Sequence, residues 1–429
     1  MIRTTRRRLM AALTAATMAI GLSACSSSSG SADGSANLTM TIWGSPTDLK
    51  VYQQRLDLAA KEYPNIHVRL QQIASDYDTK LQTMVAGGNA PDIMELAQAV
   101  NVYSSKQQLV DLTPYYRTAK LDPASEFGQT NVDMFSTSGK LWAAPDRAGT
   151  QVLFYNKELF DAAGVKYPTG DWNWAEFKAA AMKLTKKEGD KTIQFGYAAG
   201  DWWPWYMSFM KQNGGNVLDA TGKPVINSAA NVEALQFYND LVLKDRAAPS
   251  PRDYADLGLK NGSPDPLFAQ GKLAMETTGF WNVSALEATN LKWGVAPMWQ
   301  GKEKAAAAFG DGLAVSSASK NKDAAAKIAV FLSGAAGQAP IAESGEDVPA
   351  NKATLASPAF VKPTWLKTPV DLSAFNTSAA FAYSPPMLPQ WNEIQTAFTN
   401  GLAKVYTGDE SVQDGLNSVQ AQVEKLLGQ

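Results

Sequence analysis

Leu38-Thr39-Met40-Thr41-Ile42-Trp43-Gly44-Ser45-Pro46 alternates apolar and polar side chains and then breaks on Gly-Ser-Pro, the pattern of a half-buried strand that turns into a helix. The helix is expected over about Asp48 to Tyr63, where Pro64 ends it. The unit then repeats. Val68 to Ile73 reads as a strand, Asp78 to Val85 as a helix, and Gly87-Gly88-Asn89-Ala90-Pro91-Asp92 leads into a strand Ile93 to Leu96. Strand and helix alternating at this spacing predict an α/β domain with a largely parallel sheet. Such sheets bind ligands beyond the carboxyl ends of their strands, here near Trp43 to Pro46 and near Ala97 to Ala99.

Further along, Lys140 to Pro145 and Gln151 to Tyr155 read as extended, followed by a helix Lys157 to Ala163 that Gly164 closes. Helices are expected over about Trp174 to Lys187, Ala229 to Lys244, Asp323 to Ser333, Pro389 to Val405 and Ser411 to Leu427, with Asn173 and Asn227 or Ser228 as caps. Gly196 to Ala198, Leu273 to Thr277, Lys292 to Pro297 and Gly312 to Ser316 read as extended segments between them. No glycine-rich phosphate loop or spaced-acid cation loop occurs, which argues against nucleotide chemistry and an EF-hand.

The amino terminus sets the compartment. Arg3, Arg6, Arg7 and Arg8 precede an apolar run to Leu22, and Leu22-Ser23-Ala24-Cys25 places small residues before a cysteine. This predicts a lipoprotein signal peptide over 1–24, cleavage before Cys25, lipidation of Cys25, and a tether of Ser, Gly, Ala and Asp over 25–36. Thr5-Arg6-Arg7-Arg8-Leu9 suits a twin-arginine signal as well as the basic start of a general secretory one, so the export route stays open. Without residues 1–24 the formal charge falls from −2 to about −6, so the basic footprint of a nucleic-acid-binding protein is missing. Cys25 is the only cysteine, which excludes an internal disulfide. His67 is the only histidine and sits in a strand-like run, Asn65 to Leu70, so a Ser-His-Asp triad or a His-rich zinc site has little to draw on. No cofactor or metal is expected. Aromatic residues are the excess to be explained: 12 Trp, 14 Tyr and 16 Phe, with Trp202, Trp203, Trp205 and Tyr206 so close in sequence that one helix face does not hold them all.

Several phrases in order resemble the family 1 extracellular solute-binding proteins, sugar receptors of ABC importers whose best-known member is the maltose-binding protein. They are Gly87 to Ile93, Trp142-Ala143-Ala144-Pro145, Tyr155-Asn156-Lys157-Glu158-Leu159-Phe160, Phe268 to Met275 with Gly279-Phe280-Trp281, and Ser319 to Ala325. The resemblance implies a two-lobed α/β fold of the periplasmic-binding-protein kind with a hinged ligand cleft. One lobe would hold about 37–147 and 314–362 and the other about 148–313 and 363–429, with crossovers near Asp146 to Gly149 and Gly312 to Val315. It implies a receptor, not an enzyme, that is exported, held by Cys25 at the outer face of the cytoplasmic membrane, monomeric, and served by importer permease subunits. Pro91, Asn156, Phe160, Phe268 and Met275 are expected to set turns and core.

A sugar offers hydroxyls at its edge and C–H patches on its faces, so its site pairs flat rings with a few donors and acceptors. Trp281, in the family's Gly-x-Trp position, is the first candidate, followed by Trp202, Trp203 and Asp201 in the tryptophan-rich loop, Trp43 at the end of the first strand, and Trp391 at the start of a late helix. Gln98, Asp146, Arg147 and Asp311 are the polar candidates. Asp146 and Arg147 would alternatively pair with each other, and Gly149, Gly310 and Gly312 are expected to ease hinge rotation. The expected solute is a neutral mono- or oligosaccharide. Gly149 stands where the maltose-binding member has a glutamate and Leu96 where it has an aromatic residue, which argues against maltose. A polyol, peptide or other small-solute receptor is the alternative within binding proteins. The rival from another class is an exported glycoside hydrolase drawing its two carboxylates from Asp146, Asp201 and Asp311.

Overall fold

The computed structural model describes residues 35–200, 202–259 and 264–428. Strand β1 (Ala36–Trp43) buries Leu38, Met40 and Ile42 on one face, as its alternation requires. Helix α1 (Pro46–Glu62) begins on a capping box in which Ser45 accepts from the amides of Thr47 and Asp48, with Pro46 in the first turn where no amide is needed. Strand β2 (Ile66–Ile73) pairs in parallel with all of β1, helix α2 (Tyr77–Ala86) follows, and β3 (Ile93–Leu96) pairs in parallel on the other side of β1. His67 lies exposed on β2, at the sheet edge.

The full sheet has seven strands: Val348–Pro349, Ala143–Thr150, Ala306–Val315, β3, β1 and β2 in order, with Ala382–Tyr383 added beside Ala306–Val315. The expected parallel pairing holds for β2, β1 and β3 and recurs only where the two-residue strand Ala382–Tyr383 joins Ala306–Val315. Ala306–Val315 runs antiparallel to β3, Ala143–Thr150 antiparallel to it in turn, and Val348–Pro349 antiparallel again. A parallel neighbour needs a crossover helix; these strands arrive from distant parts of the chain and are free to run the other way. A second sheet, Met275–Thr278, Val152–Asn156 and Trp293–Ala296, is wholly antiparallel.

Three apolar cores lie around these sheets. One joins Leu38, Leu56, Ile93, Leu313 and Ile328. A second gathers Phe177, Trp203, Phe209, Leu235, Trp391 and Phe398 under the helices Trp203–Gln212, Ala229–Leu243, Trp391–Thr407 and Val412–Leu427. The third holds Val152, Phe154, Phe268, Trp293, Phe360 and Phe375. Ala342, Val348 and Phe360 belong to this third core and so lie with Val152 rather than with β1, on the near side of the boundary expected at 362. Asn156 caps the helix Lys157–Ala163 by accepting from the amides of Glu158 and Leu159, while Phe160, Phe268 and Met275 are fully buried, as the motif positions imply.

Candidate functional site

Strands Ala143–Thr150 and Ala306–Val315 pass from the first core toward the other two, and their register decides what the site contains. Phe309 stands opposite Gly149 and Asp311 opposite Arg147. Residues two apart on a strand share a face, so Phe309 and Asp311 project together, with Arg147 beside them. The glycines here make room. A Cβ on Gly310 would lie 2.9 Å from the Arg147 carbonyl oxygen and one on Gly312 would lie 2.8 Å from Ala143 Cβ. Neither they nor Gly149 adopt left-handed backbone, and close strand packing accounts for glycine at 310 and 312. The register slips between Asp311 and Gly312, and Asp146 is the residue left over in that bulge.

Two half-exposed indoles meet at Phe309. Trp202 stacks on it at 5.8 Å and 15°, Trp281 meets it edge-on at 5.0 Å, and the two indoles lie 6.1 Å apart. Trp281 keeps 44% of its surface exposed and Trp202 37%, although both are large apolar residues. Trp202 is fixed by donating its Nε1 hydrogen to Gln395 Oε1 at 2.9 Å. Gly279 is required by Trp281, whose ring folds back over it: a Cβ at 279 would fall 2.1 Å from an indole carbon.

Beside the rings lies a charged cluster. Arg147 is nearly buried and faces four carboxylates: Glu95, Asp48 at 3.2 Å, Asp347 at 3.2 Å and Asp311 at 3.5 Å. It also donates to the Trp43 carbonyl at 3.4 Å, while the Trp43 amide donates to Glu95 Oε2 at 2.7 Å. The Trp43 ring itself is 53% exposed. Burial pushes the Glu95 carboxyl up to about 7 against the pull of Arg147, with Asp311 and Asp146 adding repulsion. Burial likewise raises Asp311 to about 6 and Asp347 to about 6, again opposed by Arg147. Among the described residues no group of His, Cys, Asp and Glu is placed to hold a metal ion.

A profile of bacterial extracellular solute-binding proteins matches residues 43–339. The chain belongs to that family. It is 31% identical to an ABC substrate-binding protein from Listeria monocytogenes solved in complex with cycloalternan, with a TM-score of 0.79 over 92% of this chain and 99% of that one. It is 27% identical to a putative binding protein of Brucella abortus over 81% of this chain and 82% of the relative. With the maltodextrin-binding protein of Bacillus subtilis it shares 25% identity over 95% of this chain and 94% of that protein. Its fold is the two-lobed α/β arrangement of periplasmic binding proteins, and an extracellular family makes it an exported protein.

In this solute-binding protein the structure separates the sequence candidates. Trp202 and Trp281 meet at Phe309, Asp311 lies two residues along the same strand and pairs with Arg147, and Arg147 donates to the Trp43 carbonyl. Gln98 is half-buried just past β3. Trp203 and Trp391 are buried to 1% and 2% exposure, packed on each other at 6.1 Å beneath the rings, and so support the platform without reaching a solute. Asp146 is completely buried and turned the other way: Arg55 binds both of its oxygens, and Tyr52 donates at 2.6 Å. It therefore pairs with neither Arg147 nor a ligand. Asp201 and Cys25 lie outside the described residues.

Four residues of the site escaped the sequence reading. Phe309, Glu95, Asp48 and Asp347 lie far apart in the chain and in segments with no motif of their own. Alternation from Asp311 back to Phe309 was the one available signal, since a strand that points the first into a cleft also points the second there.

Proposed function

We propose that this solute-binding protein captures a saccharide and hands it to an ABC importer without changing it. The observation that carries the reading is the trio Trp202, Trp281 and Phe309: two half-exposed indoles and a phenyl ring set against each other beside Asp311 and Arg147. Apolar rings left in water next to fixed carboxylates match the two faces of a sugar, its C–H patches and its hydroxyl edge. The solved relative from Listeria is complexed with cycloalternan, and the Bacillus relative binds maltodextrin, which supports a carbohydrate for this chain.

In this proposal one lobe is built on β1 and the other on the second and third cores, about 37–147 and 314–362 against 148–313 and 363–429, apart from the late segment that joins the third core. The lobes swing about the paired strands, and the solute bridges Trp43 and Arg147 on one side and Trp202 and Trp281 on the other. Cys25 anchors the receptor to the membrane by its lipid, and the importer reads the closed form. A thermal-shift screen against mono- and oligosaccharides tests the reading, since a ligand that binds only the folded state raises the melting temperature. Incubation should return the saccharide intact; release of shorter sugars would put the protein among hydrolases, and silence across the panel would end the saccharide reading.

A further inference from the structure

The strands that carry Arg147, Phe309 and Asp311 have a second face. Ala308 pairs with Thr150 and Gly310 with Ala148, at positions alternate to those three residues, and Val348 pairs with Ala148 from the other side. Side chains alternate across a strand, so Ala148, Thr150, Ala308 and Val348 point away from the aromatic and charged site. On that rear face lies a cavity of about 420 Å³, lined also by Phe127 of the first core and Phe375 of the third. Pockets for small molecules occupy ~300–1,000 Å³, so the space suffices for one. Its mouth is marked by the exposed residues Ala356, Ala379 and Ala380.

The polar groups of this wall are already committed. Thr150 Oγ1 donates to the Phe375 carbonyl at 3.2 Å and Thr130 Oγ1 to the Ala382 carbonyl at 3.4 Å. Asn131 Nδ2 donates to the Phe127 carbonyl at 2.9 Å, Asn376 Nδ2 to the Leu355 carbonyl at 3.1 Å, and Gln129 Nε2 to Asp133 at 2.7 Å. Little is left for the many hydroxyls of a sugar. Among the described residues the one charged side chain in the wall is Lys352, and its ammonium has no ion-pair partner there. Its stem crosses Gly128, with Cδ 4.0 Å from where a Cβ at 128 would sit. The remainder is mostly methyl and phenyl surface. An apolar body carrying one negative charge complements such a wall, because the chain leaves water for carbon and the charge meets the free ammonium.

We infer that this rear cavity is a second binding site, separate from the cleft, for a medium-chain monocarboxylate. The carboxylate rests on the Lys352 ammonium, and the chain runs along Ala308, Phe127 and Phe375. At ~30 Å³ for each water-sized group the cavity takes about a dozen heavy atoms, which sets the chain at about eight to ten carbons. None of Phe309, Trp202, Trp281, Arg147 and Asp311 lines it, so the strands themselves stand between the two sites.

Titration calorimetry of the full mature protein at low salt, with straight-chain carboxylates of four to ten carbons and the alcohols of matching length, tests this. Affinity should rise about three- to fourfold per added methylene and level off by about ten carbons, where the cavity is full. Octanoate should bind about fivefold tighter than octanol, the scale of one exposed ion pair. Lys352→Gln, at an exposed position, should erase that difference and leave octanol unchanged. Ala379→Phe, which fills the cavity from its exposed mouth, should abolish binding of both, and Ala356→Phe repeats the block from a second position should the first variant melt early. Absence of binding by every carboxylate overturns the inference, as does octanol bound as tightly as octanoate. So does octanoate affinity unchanged by Lys352→Gln, or by a phenylalanine at either mouth position in a variant that melts like the wild type.

Discussion

Arg147→Met tests the charged half of the site most severely. The methionine keeps the bulk of the stem and removes the one cation that, among the described residues, pairs with Glu95, Asp48, Asp311 and Asp347. Breaking a buried ion pair by removing one partner costs about 3–5 kcal/mol, because the remaining charge is left without compensation. That loss depends on the carboxyls being ionised. Glu95 at about 7, Asp311 at about 6 and Asp347 at about 6 all sit above the ordinary carboxylate range, so the folded protein holds protons there that the unfolded chain has released. The stability they contribute is complete below about pH 4 and is lost as pH rises through 6 to 7, which means that native stability itself declines over this interval. Without Arg147 the carboxyls hold their protons to still higher pH and the decline steepens. At pH 8 the variant should be destabilised by about 3–5 kcal/mol, and at pH 5 by only about 1.5–3 kcal/mol, the scale of its lost charged hydrogen bonds. Urea unfolding of both proteins at the two pH values measures the difference directly. An equal loss at pH 5 and pH 8 would show that Arg147 does not serve as counter-charge to these four acids, and the electrostatic account of the site would fail.

Gly279→Ala should reduce saccharide affinity by about 1–3 kcal/mol, the scale of a buried aromatic anchor, because its methyl displaces the Trp281 ring; calorimetry checks it, and unchanged affinity would mean that the ring position is immaterial. Saccharide affinity should rise as pH goes from 5 to 7, since hydroxyls donate to the ionised form of Asp311 and its carboxyl titrates at about 6. Asp311→Asn should flatten that profile. Cys25→Ser should abolish incorporation of labelled fatty acid and release the protein from membranes; equal labelling in variant and wild type would remove the anchor. Small-angle scattering should show a smaller radius of gyration at saturation with saccharide, and an unchanged curve would exclude a closing hinge.

The local rules of the chain made much of the fold legible. Alternation in β1 and the Asn173 cap are decided by residues within a few positions of each other, and the structure has them where the sequence puts them, while the first helix starts at Pro46, two residues before the expected Asp48. Sheet direction was not local. Nothing within Ala306–Val315 states that it returns antiparallel between β3 and Ala143–Thr150, because that depends on where the intervening chain has gone. The site divides in the same way. Trp281 and Trp202 carry motif and composition signals of their own, whereas Trp203 and Trp391 differ from them only in which side of the helix start meets the core. Asp146 and Arg147 are neighbours in sequence, yet Asp146 sits in the bulge and turns to Arg55 while the paired Arg147 meets Glu95 and Asp311. The acids at 48, 95, 311 and 347 look dispersed along the chain, and only the strand order of the sheet assembles them around one arginine.

A crystal structure of the mature protein with the tightest-binding saccharide of the panel tests the central claim most directly. The account predicts a sugar ring lying flat on Trp281 and within contact of Trp202 and Phe309, and a hydroxyl within hydrogen-bond distance of Asp311. A saccharide bound elsewhere, with Trp202, Trp281 and Phe309 still open to water, would contradict it.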